Sequence, residues 1–456
     1  MNDMMKLKNK KIVVMGLGKT GVSLCRFLTE KGASVTVADA KNASALGDLP
    51  ETLKKMGATV VLGEHRDGLF DDQALIILSP GVPHTLLPLR QAVARGIPVI
   101  GEVELASWFI QEPIIAVTGT NGKTTVTTLV TEMLQASGKS LFTGGNIGTP
   151  LIDYVTGGEK KELVVAEISS FQLDTIESFK PAVAVLLNIT DDHLDRYRNF
   201  DDYAASKMRI FENQDENGRA VIYGDDPLLR GLSENVRSRQ LYFGAKMESP
   251  LDAVISADQI LLKTSGGSFS LEIKGLPLSG GHNYENIAAA ALAALSAGAS
   301  EAGIRTALSR FKGLPHRIEY VNEIHGVTFY DDSKATNVDA VVRALEAFSA
   351  PVLLIMGGRD KQGNFSLLKN HVKKHVKKIF LIGEAAPLIR KALDGCVDMD
   401  QAATMEEAVL KAHESALAGE VVLLSPACAS FDMYRSYAHR GDDFRKAVVK
   451  RKESIA

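Results

Sequence analysis

The strongest chemical signal in the sequence is a short segment rich in glycine and threonine that contains one lysine. Residues 119–125 read Gly-Thr-Asn-Gly-Lys-Thr-Thr, follow the apolar run 114–117 and open a stretch of helical length. A strand, a Gly-Lys-Thr core and a helix are the context that a phosphate-binding loop needs, although valine stands at 117 where the usual pattern has glycine. We expect Lys123 to pair with β- and γ-phosphate oxygens and the Thr124 hydroxyl to bind Mg²⁺. The alternative is an ordinary strand-to-helix turn.

Acidic and imidazole side chains follow two further apolar runs of the same region. Glu167 comes directly after residues 163–166, and His193 comes shortly after residues 182–187. Ligands of open parallel sheets gather beyond the carboxyl ends of the strands. We therefore expect Glu167 and His193 to join Thr124 around Mg²⁺, although each taken singly could equally be a solvated loop residue.

One amphipathic segment carries a lysine in the middle of its apolar face. The positions on that face repeat at the spacing of a helix, and they are Phe200, Tyr203, Ala204, Lys207, Met208 and Phe211. Lys207 could extend along the helix and reach water at its edge. The functional hypothesis is that Lys207 points into the phosphate and metal site, either as a cation or, after chemical modification, as a metal ligand.

A second glycine-rich turn follows the first apolar run of the chain. Residues 16–21 read Gly-Leu-Gly-Lys-Thr-Gly and open a helix, and Asp39 ends the next apolar run. Such a turn brings N–H groups at a helix N-terminus onto a phosphate, and a carboxylate placed like Asp39 can accept a hydrogen bond from a ribose hydroxyl or a base edge. The same sequence pattern occurs in proteins that bind NAD, FAD or nucleotide sugars. A purely structural turn is the alternative.

Later segments offer amide, cationic and acidic groups. Asn283 and Asn286 lie three residues apart at the start of an Ala-rich helix expected near 284–297, where their amides could read an adenine edge or cap the helix. Arg317 and Asp332 flank the first apolar run of the C-terminal region. A mobile C-terminal domain could bring Arg317 onto phosphate and the loop of Asp332 towards the nucleotide.

The elements that must position these residues alternate between short β-branched runs and amphipathic segments of helical length. This alternation predicts an α/β protein built on parallel sheets with helices on both faces. The length of 456 residues suggests three domains at about 150 residues each, which we place at 1–101, 102–313 and 314–456. The predicted strands are 11–15, 34–38, 59–62, 74–78, 98–100, 114–117, 163–166, 182–187, 220–223, 327–330, 352–356, 378–382 and 421–424.

Composition narrows the classes of function. A chain that is 45% hydrophobic and 23% charged is neither disordered nor fibrous, and its net charge of −3 provides no general attraction for nucleic acid or anionic membranes. Three scattered cysteines, Cys25, Cys396 and Cys428, form no zinc or disulfide pattern, and we expect Cys428 to be a small buried residue. No signal-peptide pattern or run of about 20 apolar residues occurs, so the expected location is the cytoplasm.

Taken in order, the motifs resemble those of the Mur ligase family of ATP-dependent amide ligases across nearly the whole chain. The matching segments are 119–125, 146–150, 188–195, 282–286, 316–319 and 331–337. The resemblance implies Rossmann-like first and third domains around a central domain with a parallel sheet of the P-loop ATPase type.

Within the family, four segments are most similar to the members that add D-glutamate to UDP-N-acetylmuramoyl-L-alanine, and these are 16–23, 79–81, 332–337 and 425–430. The resemblance implies this reaction, through an acyl phosphate that yields ADP and phosphate, in the cytoplasmic synthesis of peptidoglycan precursors. It also implies ATP, two Mg²⁺ sites, small-molecule substrates and a monomer, with no nucleic acid or membrane partner. Another muramyl ligase or a folylpolyglutamate synthetase is one alternative, and an NAD-dependent or nucleotide-sensing protein with a fused P-loop is another.

The resemblance further implies roles for individual residues. Lys123, His193, Lys207 and Arg317 are implied to be catalytic. The implied ATP site comprises Gly119, Thr120, Asn121, Gly122, Lys123, Thr124, Thr125, Asn283, Asn286, Arg317 and Asp332. The implied site for the UDP substrate comprises Gly18, Lys19, Thr20, Asp39, Gly81 and Asn146. Thr124 and Glu167 are implied to bind one Mg²⁺, and His193 with carbamylated Lys207 the second. D-glutamate is implied to contact Thr336, Lys361, Ser430 and Tyr437. The sequence departs from the family where Ala40 and Lys41 replace a common Thr-Arg pair and where Tyr437 replaces a common phenylalanine.

Overall fold

The computed structural model of the chain describes residues 6–64, 68–246, 250–264, 266–276 and 280–455. The strands are β1 (Lys11–Met15), β2 (Ser34–Asp39), β3 (Thr59–Leu62), β4 (Leu75–Leu78), β5 (Val99–Gly101), β6 (Ile114–Thr118), β7 (Leu141–Gly145), β8 (Leu163–Glu167), β9 (Val183–Leu186), β10 (Arg219–Tyr223), β11 (Arg239–Gly244), β12 (Ala253–Ile255), β13 (Gln259–Thr264), β14 (Gly267–Glu272), β15 (Glu319–Ile324), β16 (Val327–Asp331), β17 (Val352–Gly357), β18 (Val376–Ile382), β19 (Asp398–Gln401) and β20 (Val421–Leu424).

The helices are α1 (Lys19–Glu30), α2 (Ala43–Leu46), α3 (Leu49–Lys55), α4 (Leu87–Ala94), α5 (Glu102–Ser107), α6 (Lys123–Ala136), α7 (Leu151–Gly157), α8 (Ser170–Leu173), α9 (Phe200–Met208), α10 (Pro227–Ser233), α11 (Gly281–Ser296), α12 (Glu301–Arg310), α13 (Val338–Glu346), α14 (Lys369–His375), α15 (Ala386–Ala392), α16 (Met405–Ser415) and α17 (Tyr437–Glu453). Short 3-10 turns cover Arg209–Phe211 and Phe365–Leu368. None of these helices combines the length and the apolar composition that crossing a bilayer requires.

The described residues divide into two compact units. Unit 1 comprises the described parts of Met1–Asn188, Ala204–Glu272 and Glu285–Ser309 and contains the sheets β1–β5 and β6–β14. Unit 2 comprises Ile189–Tyr203 and the described parts of Ile273–Tyr284 and Arg310–Ala456, and it contains the sheet β15–β20.

The first sheet of unit 1 has the strand order β3-β2-β1-β4-β5, with all five strands parallel. Each of these strands was predicted from an apolar run, because a strand covered on both faces is apolar along its whole length. The glycine-rich turn after β1 lies at the carboxyl end of the central strand, which is where the rule for open parallel sheets places a ligand.

The second sheet of unit 1 has the order β14-β13-β12-β11-β10-β9-β6-β8-β7. The strands from β7 to β12 in that order are parallel, and β13 and β14 extend the sheet antiparallel to β12. The prediction of a parallel central sheet is therefore right for its buried centre, and the antiparallel edge is an addition that was not predicted.

The sheet of unit 2 has the order β15-β16-β20-β17-β18-β19, with β15 antiparallel to β16 and the other strands parallel. Successive side chains of β17 alternate between two apolar clusters. Leu354 and Met356 belong to one cluster, and Leu353 and Ile355 belong to the other. Helices thus cover both faces of this sheet, which is the layered arrangement of an α/β fold.

The α/β class and the three sheets agree with the sequence prediction, whereas several peripheral strands were missed. The missed strands are β7, β11, β12, β13, β14, β15 and β19. Most have partly exposed faces; β14, for example, has one buried residue among six. Such strands lack a continuous apolar run, which is the signal that found the central strands.

Glycine is required at position 21 by a close approach of two backbone segments, and this gives a test of the first turn. An added Cβ at Gly21 would collide with the carbonyl oxygen of Gly16, whereas one at Gly18 would meet no atom within 4 Å. We expect Gly21→Ala to lower the free energy of unfolding by about 2 kcal/mol through overpacking. Gly18→Ala is the matched control and should change it by less than about 0.5 kcal/mol. Urea titrations of both variants measure this, and equal losses would contradict the proposed contact.

Candidate functional site

The phosphate-binding loop of unit 1 begins where β6 ends, near the middle of the sheet. Asn188, which follows β9, fixes its shape. The Thr120 N–H donates to the Asn188 carbonyl oxygen at 2.9 Å, and the Asn121 N–H donates to the Asn188 Oδ1 at 2.8 Å. Gly119 and Gly122 have φ values of 155° and 86°, which side chains disfavour. The loop is therefore preset by the ends of two adjacent strands.

Two lysine ammonium groups converge on one carbonyl oxygen of this loop. The Nζ atoms of Lys123 and Lys207 donate to the Gly119 carbonyl oxygen at 2.9 and 2.8 Å. Lys207 is only 1% exposed on the inner face of α9, so the alternative in which it extends to water is wrong. Two positive charges thus lie at the loop where the sequence predicts phosphate, in agreement with the need of a phosphate for charge-assisted donors.

A carboxylate with one unused oxygen ends β8 in the same unit. Glu167 is 2% exposed, and its Oε1 accepts the Asn146 Nδ2 at 2.7 Å. Its Oε2 is buried and has no hydrogen-bond partner among the described residues. A buried carboxylate oxygen without a donor is costly. A hard divalent cation such as Mg²⁺ would satisfy it, so the chemistry of Glu167 fits the predicted metal.

Asn286 lies on the phosphate-binding loop, in agreement with its predicted neighbourhood. It is 7% exposed, and a Cβ added at Gly122 would collide with its side-chain oxygen. Helix α11 begins at Gly281, three residues before the predicted start, so Asn283 and Asn286 both lie inside the helix. Neither amide therefore belongs to the N-cap residue of the helix.

The two loops predicted for the UDP substrate are joined in unit 1. The Lys19 Nζ, from the glycine-rich turn, donates to the carbonyl oxygen of Gly148 in the 146–150 loop. The Asp39 carboxylate accepts the N–H groups of Leu17 at 2.7 Å and Lys41 at 2.8 Å. Asp39 thus organises the turn itself, which the sequence did not reveal.

The open positions of this region are the two glycines Gly18 and Gly81. Both are exposed, and an added Cβ at either would meet nothing within 4 Å. Thr20 is half-buried in the first turn of α1. These residues leave room for a ligand at the carboxyl end of β1.

Asp192 is the centre of a charged cluster in unit 2. Its carboxylate accepts the Lys361 Nζ at 2.9 Å and the Asn337 Nδ2 at 3.1 Å, and the His193 Nε2 lies 3.7 Å away. Burial alone would raise the pKa of Asp192, but Lys361, His193 and Asn337 outweigh it and lower the pKa to about 2.

This cluster borders a cavity of about 450 Å³, a volume suited to a small ligand. Predicted D-glutamate contacts Thr336 and Lys361 both line it. His193 follows Asp192 in the chain and has φ 56°. Non-glycine residues adopt this conformation mainly where the surroundings enforce it.

The carboxylate of Asp332 in unit 2 is also buried, and neutral groups donate its hydrogen bonds. Asp332 accepts the Ser425 Oγ at 2.8 Å and the Ile318 N–H at 3.3 Å. Burial raises the pKa of Asp332 to about 7, although Ser425 and the positive charge of Arg317 oppose the rise. Arg317 is thereby close enough to act electrostatically on Asp332.

Sequence reasoning missed Arg440, the residue that ties the loops of unit 2 together. This side chain is 1% exposed, and burial lowers the pKa of its guanidinium to about 10. It donates to the Ser333 Oγ and carbonyl oxygen, at 3.0 and 2.9 Å, and to the carbonyl oxygens of Gly357, Cys428 and Ala429 at 3.1–3.4 Å. The signal was present, because Arg440 shares the inner face of α17 with Phe444.

Ser430 and Tyr437, two predicted D-glutamate contacts, lie beside the loops that Arg440 holds. Ser430 is 2% exposed in the turn after β20. The Tyr437 carbonyl oxygen accepts the Ser333 Oγ at 2.8 Å, and the Lys334 Nζ lies 3.9 Å from the centre of the Tyr437 ring. Tyr437 thus packs against a cation, and its contact with D-glutamate stays a prediction.

Two of the three thiols are inaccessible. Cys25 and Cys428 are fully buried, and burial raises their pKa values to about 11 and about 12. Cys428 is therefore a small buried residue, as expected, and not a thiolate nucleophile. Cys396 is partly exposed.

A larger cavity of about 740 Å³ lies in unit 1 at the opposite edge of the second sheet. Its lining includes Pro113, Ala182 and Gly218, which precede the parallel strands β6, β9 and β10. The buried carboxylate there, Glu104, already accepts the Trp108 Nε1 and three backbone N–H groups. Size alone does not make this cavity the candidate site, because its buried acid is fully satisfied and the phosphate-binding loop lies elsewhere.

The predicted site residues divide between the two units. Those in unit 1 are Gly18, Lys19, Thr20, Asp39, Gly81, Gly119, Thr120, Asn121, Gly122, Lys123, Thr124, Thr125, Asn146, Glu167, Lys207 and Asn286. Those in unit 2 are His193, Asn283, Arg317, Asp332, Thr336, Lys361, Ser430 and Tyr437. Two predicted pairs are divided between the units: His193 and Lys207, implied for the second Mg²⁺, and the amides Asn283 and Asn286.

Comparison with known protein families shows which family the chain belongs to. Residues 10–101 match the Mur ligase MurD-like N-terminal domain, 117–294 the Mur ligase middle domain, and 316–428 the Mur ligase glutamate ligase domain. The chain belongs to the Mur ligase family. Among curated Mur ligases, the UDP-N-acetylmuramoylalanine--D-glutamate ligase of Desulfatibacillum aliphaticivorans is 54% identical over 97% of this chain and 99% of its own. The protein of the same name from Desulfosudis oleivorans is 51% identical over 98% and 97%.

Solved Mur ligases share the fold at much lower identity. The MurF ligase of Thermotoga maritima in complex with ADP aligns over the full length of both chains with a TM-score of 0.65 and 20% identity. The MurC ligase of the same organism aligns over 98% of this chain and 100% of its own, with a TM-score of 0.60 and 19% identity. The three-domain α/β architecture predicted from the sequence is therefore that of the Mur ligases.

The low pKa of Asp192 gives a test of the charged cluster. A carboxyl whose pKa falls on folding stabilises the protein above its unfolded value, near 3.8, and this contribution disappears as the pH falls towards 2. We expect Asp192→Asn to lower the free energy of unfolding by about 2 kcal/mol at pH 7, and by progressively less below pH 4. Urea titrations between pH 7 and pH 3 measure this.

Asp191→Asn serves as the control, because Asp191 is the exposed neighbour in the chain. Its substitution should have little effect at any pH. A loss for Asp192→Asn that stayed the same down to pH 3 would show that the ion pair is not its cause.

Proposed function

We propose that this Mur ligase joins D-glutamate to UDP-N-acetylmuramoyl-L-alanine, consuming ATP and releasing ADP and phosphate. The observation that carries the proposal is the match of 97% of the chain, at 54% identity, to a relative named for this reaction. The chemistry of the site supports it, since a preset phosphate-binding loop, two lysine ammonium groups and an unsatisfied carboxylate lie together in unit 1.

The work is divided among three domains in this proposal. Residues 1–101 bind the UDP moiety through Gly18, Lys19, Thr20, Asp39 and Gly81, and residues 102–313 bind ATP and place Asn146 near the reacting centre. Residues 314–456 hold D-glutamate through Thr336, Lys361, Ser430 and Tyr437. The reaction belongs to the cytoplasmic synthesis of peptidoglycan precursors, and the enzyme acts as a monomer on small molecules.

The first step transfers the γ-phosphoryl group of ATP to the carboxylate of the UDP-linked substrate. Both partners are anions, so positive charge must offset their repulsion. Lys123 supplies it from the phosphate-binding loop, and Arg317 supplies it from unit 2. Asn283 and Asn286 bind the adenine end of the nucleotide, and Asp332 orients it.

Mg²⁺ fits the same site. Thr124 and Glu167 would hold one ion, and His193 with a carbamylated Lys207 would hold the second. Bound there, the ions supply Lewis-acid stabilisation of phosphate charge. In the unmodified chain Lys207 is an ammonium group that donates to the Gly119 carbonyl oxygen. For carbamylation it first loses one proton; the neutral amine nitrogen then bonds to the carbon of CO₂ and releases a second proton, so a cation becomes an anionic ligand.

The second step is the attack of the D-glutamate amine on the acyl phosphate, with phosphate as the leaving group. Water competes with the amine for this intermediate, so the site must exclude it while the amine is held in place. Lys361, already bound to Asp192 in unit 2, offers an ammonium group for a substrate carboxylate.

The identity of the substrates is tested by phosphate release. The purified chain is incubated with ATP, Mg²⁺ and UDP-N-acetylmuramoyl-L-alanine, and with a panel of D-glutamate, L-glutamate, L-alanine and a diamino acid. We expect release with D-glutamate only, because the unit 2 site is assigned to this amino acid. Activity with another member of the panel and none with D-glutamate would refute the assignment, and NAD binding without phosphate release would point to a different class of protein.

The role of Lys207 is tested by substitution and chemical rescue. Lys207→Ala should lower kcat by at least about a hundredfold, as expected when a charged group at a phosphoryl-transfer site is lost. Added short-chain carboxylates that occupy the place of the carbamate should restore part of the rate. Lys160→Ala, at an exposed lysine, is the control. Full activity of Lys207→Ala would exclude the ligand role.

A further inference from the structure

A buried carboxylate connects the two sheets of unit 1. Glu102 is the first residue of α5, directly after the last strand of the first sheet, and it is 2% exposed. Its Oε1 accepts the backbone N–H of Ile152 at 2.7 Å, across 50 positions of the sequence. The hydrogen bond therefore ties the end of the first sheet to helix α7, which precedes β8 of the second sheet.

Helix α7 depends on this outside acceptor. The first N–H groups of a helix have no acceptor within the helix, and a side chain just before the helix usually supplies one. Here that position is Pro150, which makes no side-chain cap. Burial raises the pKa of Glu102 to about 7; the Ile152 and Leu151 N–H groups oppose the rise and Asp153 adds to it. The carboxylate is thus held in the interior by the amides that it caps.

The segment just before α7 is the 146–150 loop, and it is also attached elsewhere: the Thr149 carbonyl oxygen accepts the Gly145 N–H at 2.9 Å. Asn146 is bonded to Glu167 through its side chain and through its backbone N–H, which donates to the Glu167 carbonyl oxygen at 2.8 Å. Gly148 accepts the Lys19 Nζ through its carbonyl oxygen. Glu102 fixes the remaining end, where the loop enters the helix.

We propose that Glu102 is a positioning residue that sets the 146–150 loop for the UDP-linked substrate. This inference rests on the proposed function, because it takes that loop as part of the substrate site. Glu102 acts through the Ile152 N–H and is itself buried away from ligand. A glutamine in its place keeps the accepting oxygen, whereas an alanine removes it.

Steady-state kinetics separate this role from a general effect on folding. We expect Glu102→Ala to raise KM for UDP-N-acetylmuramoyl-L-alanine by about tenfold, the size of one lost hydrogen bond. KM for ATP and for D-glutamate should stay within about twofold, since the loop is assigned to the UDP-linked substrate. Glu102→Gln should restore the wild-type KM. Glu159→Ala, an exposed glutamate beyond the other end of α7, is the matched control and should behave as wild type.

Hydrogen exchange gives a second measurement that does not depend on turnover. Amide protons of residues 146–157 should exchange faster in Glu102→Ala than in the wild type and stay protected in Glu102→Gln. If Glu102→Ala does not fold, Glu102→Asp replaces it, because the shorter side chain withdraws the acceptor and keeps the charge.

Three outcomes would overturn the proposal. These are an equal rise of all three KM values, a fall of kcat with KM unchanged, and a Glu102→Gln variant as defective as Glu102→Ala. The wild type is first assayed for phosphate release with D-glutamate, so a failure of the proposed function appears there. A failure of the role of Glu102 appears only in the comparison of the variants.

Discussion

Buried and half-buried cations that hold loop carbonyl groups are the interaction on which the site depends. A loop that binds an anion turns its N–H groups towards the ligand, so its carbonyl oxygens turn inward and need donors. In unit 1, Lys123 and Lys207 supply them at Gly119. In unit 2, Arg440 supplies them to several loops at once. Lys207 and Arg440 are stabilised in the interior by the dipoles that they order, so burial and loop shape support each other.

The same constraint explains how much could be predicted from the sequence. The central strands were predictable because burial on both faces demands uninterrupted apolar residues. The apolar positions that repeat around Lys207 left two alternatives open, extension to water or burial at the site, and the structure shows burial. Arg440 offers the same kind of signal on α17, but its acceptors are backbone carbonyl groups of distant loops. Every residue has such a group, so the sequence does not show which ones accept hydrogen bonds. The peripheral strand β14 was missed because pairing at an edge does not require an apolar face.

Roles that arise from tertiary contact were also beyond the sequence. Asp39 was expected to face a ligand, and its carboxylate also accepts two N–H groups that shape the turn. Glu102 and Ile152 are 50 positions apart, and nothing in their local sequence links them. The near-neutral net charge of the chain is consistent with a site that relies on few charged groups. Anionic substrates would be held by a few cations and oriented amides, with no need for a basic surface.

The burial of Cys25 and Cys428 has a practical consequence for chemistry on this protein. Reagents that attack thiols need a thiolate that solvent can reach. In the folded chain, Cys396 alone is positioned to react with a maleimide or with an electrophilic inhibitor. A fluorophore or spin label could therefore be attached at one native position in unit 2 without removing any residue. For the same reason, a covalent inhibitor aimed at the proposed D-glutamate site cannot be anchored on Cys428, because this neighbouring thiol is closed to solvent.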